Sequence, residues 1–297
     1  MPRRFNFDLQ PKFPFCTGDV VDWLIQSGVS AYLEFKPVLS GLLWAGDHFE
    51  EVPCNKSQIF QDQRLTMIEK RLLMRFIEHC MKLFESEFDP NSSFLELMNT
   101  KELPPKLQNI VLYCVLFLTG DPSTITLGEA LGALQKYATS LGVYRENSAI
   151  MYPMYGSSDV SQAFCRLAAV YEGLYVITEE LKMLGIENRG EIKVVSTTFG
   201  ELKGRELILG AAYSSLDPNS HFDNFVEIQR GAALCRILEG EKEYEGPVLY
   251  SVPPNSFDNP SQFTSFSLTR ALRLSLQATN YTSSILPDRE DFILSYL

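Results

Sequence analysis

The sequence predicts an α/β fold interrupted, between about residues 59 and 142, by an all-helical insert. Three observations predict it. Short β-type runs with glycine and proline punctuation occupy the chain up to residue 58 and return after Gly142. Three hydroxyl–carboxylate capping signals fall inside the middle stretch, and the apolar residues there recur at helical rather than alternating spacing. The expected organisation is a discontinuous α/β domain, 1–58 with 143–297, around a helical domain at 59–142.

The 297 residues are 45% hydrophobic and 21% charged, a composition that supports about two packed domains and excludes long disorder or a fibrous repeat. Thirty-seven acidic against 26 basic side chains leave a net charge of −11. That charge repels a phosphate backbone, so nucleic acid is not an expected partner. The longest apolar run, Ile110 to Leu118, falls short of the roughly 20 residues that span a bilayer. The N-terminus opens Met1-Pro2-Arg3-Arg4 without a secretory apolar core, and the expectation is a cytoplasmic protein with no stable membrane insertion. Six cysteines (Cys16, Cys54, Cys80, Cys114, Cys165 and Cys235) lack C-x-x-C spacing and read as reduced thiols, not as a disulfide framework or a zinc site.

In chain order, Asp19 to Gln26 reads as a short helix closed by Gly28. Alternation at Val29, Ala31, Leu33 and Phe35 reads as a half-buried strand, followed by another at Leu42-Leu43-Trp44. In the insert, Thr66 with Glu69, Ser93 with Glu96 and Thr126 with Glu129 place a hydroxyl and a carboxylate where the free N–H groups of a first helical turn need them. Behind Thr66 the stripe Ile68, Leu72, Phe76, Cys80 and Phe84, flanked by Leu73, Ile77 and Met81, opposes Lys70, Arg71, Arg75, Glu78 and Lys82. This marks a half-buried helix. Leu107 to Leu118 is apolar on nearly every face, with Pro104-Pro105 at its start, and belongs at the centre of the bundle. Leu127, Leu131, Leu134, Ala138 and Leu141 make a last helix ended by Gly142. Beyond it come a strand at Ile150-Met151-Tyr152, a helix around Gln162 to Tyr171, and β-type runs at Leu174 to Ile177, Ile192 to Thr198, Glu206 to Leu209, Ala232 to Leu238 and Val248 to Val252. A strictly alternating run from Phe266 to Leu276 closes the pattern.

Bond chemistry has little support. The three histidines (His48, His79, His221) lie in no metal-ligand or nucleophile pattern, and His79 falls on the charged, solvated side of its helix. No G-x-G-x-x-G occurs, the nearest glycine pair, Gly128 and Gly132, lying inside a helix. No cofactor is therefore placed. The informative segment is Met151 to Tyr175: a strand end, a Gly/Ser turn, a helix capped by Ser157, Ser158 or Asp159, and a glycine stop at Gly173. Asp159 and Arg166 lie seven apart and share a helical face. Taken alone, such a solvated pair is worth little.

This segment resembles the Rab escort protein and Rab GDP-dissociation-inhibitor superfamily, whose pattern is Y-P-[LI]-Y-G-x-G-E-L-P-Q-x-F-x-R-x-x-A-x-x-G-G-x-Y. The chain keeps Tyr152, Pro153, Tyr155, Gly156, Gln162, Phe164, Arg166, Ala169, Gly173 and Tyr175 at matching spacing. Upstream, Arg4 to Leu9 (R-F-N-F-D-L), Tyr32 with Glu34-Phe35-Lys36, Val52-Pro53-Cys54, and Leu65 to Met74 follow in family order. The last two, with Phe164-Cys165-Arg166, are more similar to escort proteins than to dissociation inhibitors. The resemblance runs to about Tyr213, with a weaker echo at Val248, Val252, Pro253 and Pro254. It departs where the family E-L-P is Asp159-Val160-Ser161, where the second family glycine is Ser158, and where Glu172 replaces the first glycine of G-G. The family's N-terminal strand–glycine turn–helix has no counterpart before Met1, and its C-terminal strands none after about Tyr281. A partial member is expected.

The resemblance implies a flavin-monooxygenase-like α/β domain without flavin, carrying the helical insert. It implies a non-catalytic accessory factor that binds GDP-bound Rab GTPases, presents them to Rab geranylgeranyl transferase and shields the geranylgeranyl lipid. Residues expected to bind Rab are Tyr155, Asp159, Gln162, Arg166, Tyr171 and Glu172. The apolar lipid slot is expected between helices carrying Leu73, Ile77, Met81, Val111, Cys114, Val115 and Leu118, where burial of each CH₂ is worth about 0.8 kcal/mol. Two alternatives stand beside this reading: a degenerate scaffold that binds no Rab, and a flavin-dependent oxidoreductase of the same fold.

Overall fold

The structure is a computed structural model and describes residues 8, 11–38, 40–53, 55–118, 121–176, 181–186, 192–196, 200–208, 210, 228–234, 246–256, 263–268, 273–279 and 293–294. It comprises two compact units, Met1–Phe164 with Ile228–Leu297, and Cys165–Glu227.

In the larger unit, α1 (Asp19–Gln26) buries Val21 and Leu24, and Gly28 at φ 74° ends it in a left-handed turn. The alternating run that follows is not a strand. Val29–Tyr32 form a 3₁₀ turn, with Ala31 N–H donating to Gly28 O and Leu33 N–H to Ser30 O, and β1 covers only Phe35–Pro37. Alternation needs a sheet to bury one face against; here Val29 is buried while Ala31 is exposed. The hairpin β2 (Ser40–Trp44) and β3 (Phe49–Val52) leads into the helices.

Between β3 and β4 (Met151–Pro153) every described element is helical: α2 (Lys56–Gln61), α3 (Met67–Leu83), α4 (Phe94–Thr100), α5 (Pro105–Asn109), a π-helical turn (Ile110–Val115) and α6 (Leu127–Ser140). The capping signals act as their spacing suggests. Thr66 and Thr126 accept from the N–H of Glu69 and Glu129, whose carboxylates accept in return from the threonine N–H groups, and Ser93 accepts from Glu96 N–H. α4 stops because Glu102 turns left-handed at φ 55°, while Leu103 N–H reaches Met98 O at 3.1 Å.

The apolar phase of α3 differs from the expected stripe. Lys70, Leu73, Phe76 and Cys80 are buried, whereas Ile68 is 71% exposed. A four-residue repeat drifts by about 40° per step on a helix of 3.6 residues per turn, so its first member swings away from the core. Lys70 is housed because its Nζ donates to Phe60 O at 2.8 Å. The core around Leu73, Phe76, Phe94, Met98, Leu107 and Leu131 includes Leu43 and Val52 of the hairpin, so the helices and β2–β3 share one interior.

β2 and β3 form one edge of a seven-stranded sheet with β8 (Ile228–Leu234), β9 (Pro247–Val252), β10 (Phe263–Leu268), β11 (Arg273–Thr279) and β12 (Ile293–Leu294), in the order β12-β8-β11-β10-β9-β2-β3. β2 and β9 pair in parallel, Gly41 opposite Leu249. The alternating run from Phe266 to Leu276 falls in two antiparallel strands, β10 and β11, with residues 269–272 outside the described residues. A period of two records which residues share a face and does not record a chain reversal. β8 begins earlier than the run at Ala232, whose residues 235–238 lie outside the described residues.

α7 (Ser158–Val170) follows β4, and the division between the two units falls within it. The smaller unit contains an antiparallel sheet of β5 (Leu181–Ile186), β6 (Ile192–Ser196) and β7 (Gly200–Gly204) in that order. No strand is formed by Glu206–Ile208, since pairing with β6 ends at Gly204, opposite Ile192, and Arg205 bends, while Leu209 lies outside the described residues. Leu174–Val176 carry no ladder, and Ile177 lies outside the described residues.

Candidate functional site: the turn and helix after strand β4

β4 is a buried strand, its Met151, Tyr152 and Pro153 covered, and it pairs antiparallel with β1 through Phe35↔Pro153, Lys36↔Tyr152 and Pro37↔Met151. Met154 N–H continues the contact to Glu34 O at 2.9 Å. The chain then reverses. Gly156 N–H donates to Pro153 O at 3.0 Å, and Met154 and Tyr155 occupy the two central positions of the turn. Tyr155 is 58% exposed. Gly156 takes φ 98°, a conformation that glycine alone adopts without strain, and Asp159 N–H donates to its carbonyl at 3.0 Å as α7 opens.

The turn is tied to a residue from the start of the chain. Asp8 Oδ2 accepts from Tyr152 Oη at 2.8 Å and from Ser157 N–H at 2.6 Å. Ser157 Oγ in turn accepts from Lys12 N–H at 2.7 Å. A Cβ on Gly156 would stand 3.4 Å from Asp8 Oδ2. Burial, and then the Asp8 carboxylate, push the Tyr152 hydroxyl well above its ordinary value, so it stays a donor. Asp8 falls in the family-like run Arg4 to Leu9, where the sequence alone assigns it no role. A lone carboxylate acting across 144 residues leaves no spacing signal.

On α7, Ala163 is buried, Asp159 is half-buried, and Gln162 is exposed. In the smaller unit Arg166 is exposed, and Tyr171, the cap residue, is 79% exposed. The helix ends in a Schellman turn: Glu172 N–H donates to Ala169 O at 3.1 Å, and Gly173 N–H to Ala168 O at 2.8 Å. Glu172 takes the left-handed position at φ 65°. A Cβ on Gly173 would lie 2.8 Å from Ala168 O, which explains the glycine. A hydrogen bond to Cys165 raises the Tyr175 hydroxyl above its ordinary value.

The residues expected to line the lipid slot are placed unequally. Leu73, Val111 and Cys114 lie in the closed core, Ile77 and Leu118 are half-buried against it, Val115 is half-buried, and Met81 is 49% exposed. Cys114 borders a cavity of about 30 Å³ shared with Val38, Val52, Phe117, Leu249 and Ser251, enough to admit water. Ser251 Oγ donates to Tyr113 O at 3.1 Å, pinning the π-helical turn to β9. Burial pushes the Cys80 thiol up to about 12 and raises Cys16, so both remain protonated. No helix among the described residues is long and apolar enough to cross a membrane.

The fold so built is that of the Rab GDP dissociation inhibitors. The crystal structure of the Plasmodium falciparum Rab GDI superposes with a TM-score of 0.77 at 16% identity, covering 99% of this chain and 74% of that one. An oxidoreductase from Methanosarcina mazei shares the architecture more distantly, with a TM-score of 0.54 at 14% identity over 94% of this chain and 67% of its own. The GDP dissociation inhibitor family model matches residues 1–217, and the chain belongs to that family. The human Rab proteins geranylgeranyltransferase component A 2 is 32% identical over 261 residues, 85% of this chain and 39% of that protein. The Arabidopsis thaliana Rab escort protein 1 is 32% identical over 232 residues, 70% of this chain and 41% of that protein. The chain thus spans about two-fifths of the length of these relatives.

Proposed function

We propose that the chain acts as a Rab escort protein-like accessory factor. It binds GDP-bound Rab GTPases in the cytoplasm, presents them to Rab geranylgeranyl transferase and shields the geranylgeranyl group, working by binding and not by bond chemistry. One observation supports this best. The turn and the start of α7 that keep the family residues present Tyr155 and Gln162 to solvent from a buried, hydrogen-bonded support, which is how a preformed platform for a folded partner is built; in the smaller unit Arg166 and Tyr171 are exposed as well. Asp159 and Glu172 complete the Rab-binding set. Titration of a GDP-loaded Rab tests it: Arg166→Ala is expected to weaken binding by roughly 1 to 3 kcal/mol, the cost of removing a charged interface contact. Equal affinities would remove Arg166 from the platform.

For the lipid we propose entry along the α3 face of Ile77 and Met81, four residues apart and partly exposed, with Leu73, Val111, Cys114, Val115 and Leu118 behind. Leu73, Val111 and Cys114 are packed in the core, so this site requires the helices to part. Saturable binding of a fluorescent geranylgeranyl peptide, lost in Met81→Asp, is the expected outcome. The reading takes the fold to act without flavin and the helices to form its inserted lipid domain. Purified protein with a flavin absorbance band in the visible would favour the oxidoreductase alternative.

A further inference from the structure

We propose, on the Rab-binding reading above, that Asp8 is a positioning residue of the platform: it holds the Tyr155 turn and the start of α7 in the arrangement that meets the partner, without touching the partner itself. The two residues on which the turn hangs, Tyr152 before it and Ser157 after it, converge on one carboxylate oxygen, at 2.8 and 2.6 Å. The bond from Ser157 satisfies a backbone N–H just before the first residue of α7 and sets a negative charge at the positive end of that helix. Lys12 N–H on Ser157 Oγ adds a second strap from the same segment. Gly156, left-handed and with Asp8 3.4 Å from where a Cβ would be, lets the carboxylate close against the turn. Asp8 is half-buried, whereas Tyr155 projects; the acid fixes the ends of the turn and the exposed residue between them makes the contact. Charge-assisted hydrogen bonds of this kind are the strong ones, and two on one atom define a geometry that either alone would leave loose.

The test uses Asp8→Ala and Asp8→Asn in the 297-residue chain. An asparagine amide oxygen can still accept from Ser157 N–H and Tyr152 O–H, and alanine cannot. At a temperature where both variants are fully folded by circular dichroism, affinity for a GDP-loaded Rab is expected to fall about tenfold in Asp8→Ala and to recover to within about threefold of wild type in Asp8→Asn. Tyr155→3-fluorotyrosine reads the turn directly by ¹⁹F NMR: the line narrows when Asp8→Ala is added and returns with Asp8→Asn. If Asp8→Ala does not fold, Tyr152→Phe removes one of the two bonds and is expected to show about a threefold loss with partial narrowing. A lowered melting temperature with unchanged affinity and unchanged fluorine line width would make Asp8 a purely structural residue and overturn the proposal. If the wild-type chain binds no GDP-loaded Rab, the Rab reading fails instead. The fluorine line then still decides the clamp, an unchanged width overturning it.

Discussion

At Glu172 a residue with a Cβ occupies a backbone conformation, φ 65°, that L-residues avoid because Cβ crowds the following carbonyl oxygen. The Schellman turn demands that conformation, since Gly173 N–H must reach Ala168 O five residues back. Glu172→Gly, which restores the family residue, should therefore stabilise the protein by about 0.5 to 1 kcal/mol after the extra entropy of glycine in the unfolded chain is subtracted. A rise in the urea midpoint at constant slope is the measurement. Gly156 presents the converse case. With φ 98° and Asp8 Oδ2 3.4 Å from the position of a Cβ, Gly156→Ala should cost about 1 to 3 kcal/mol in the same melt.

Single elements draw their stability from their ends as well as their faces. The carboxylates of Glu69 and Glu129 sit below the ordinary glutamate value of 4.5, chiefly through the backbone N–H groups of Thr66 and Thr126. A depressed folded pKa means that the caps contribute fully above that ordinary value and are lost as pH falls through the lowered folded values. Glu69→Gln with Glu129→Gln should lower stability at neutral pH and flatten the acid limb of a stability-against-pH curve below about pH 4.5. The capping spacing made these starts legible from the residues alone. The rotation of α3 was not, because a four-residue repeat and a 3.6-residue turn agree only over a short stretch. Nor was the π-helical turn, whose extra residue is fixed by partners such as Ser251 from β9. Cys114 packs within that turn beside the small cavity. Cys114→Trp is accordingly expected to overpack the core and lower the melting midpoint by the equivalent of about 1 to 3 kcal/mol.

Across the whole molecule, local patterns marked the helices of the 59–142 stretch, while Val29–Tyr32, read as extended, is a 3₁₀ turn and Leu174–Val176 carry no ladder; the segment Met151 to Tyr175 carried enough specific residues to name the family. What they left hidden was long-range. The helices share an interior with β2 and β3 instead of closing on themselves, and the Phe266 to Leu276 pattern runs across two separate strands. The Asp8 clamp links the ends of a long loop of chain. Periodicity describes a face but not the surface that covers it, and a pairing partner hundreds of residues away has no local signature.

The parallel match of β2 with β9, Gly41 beside Leu249, sets an order of events during synthesis. The hairpin and the helices can emerge from the ribosome and begin to pack, yet the open side of β2 has no partner until residues 247–252 are made. At roughly 5 to 20 residues per second that interval lasts about 10 to 40 s. Throughout it, the nascent chain carries an unpaired strand edge, the feature that invites pairing with other chains. Slowing translation between β3 and β9 should therefore raise the yield of aggregated nascent chain in a cell-free system, and a chaperone that shields strand edges should restore it.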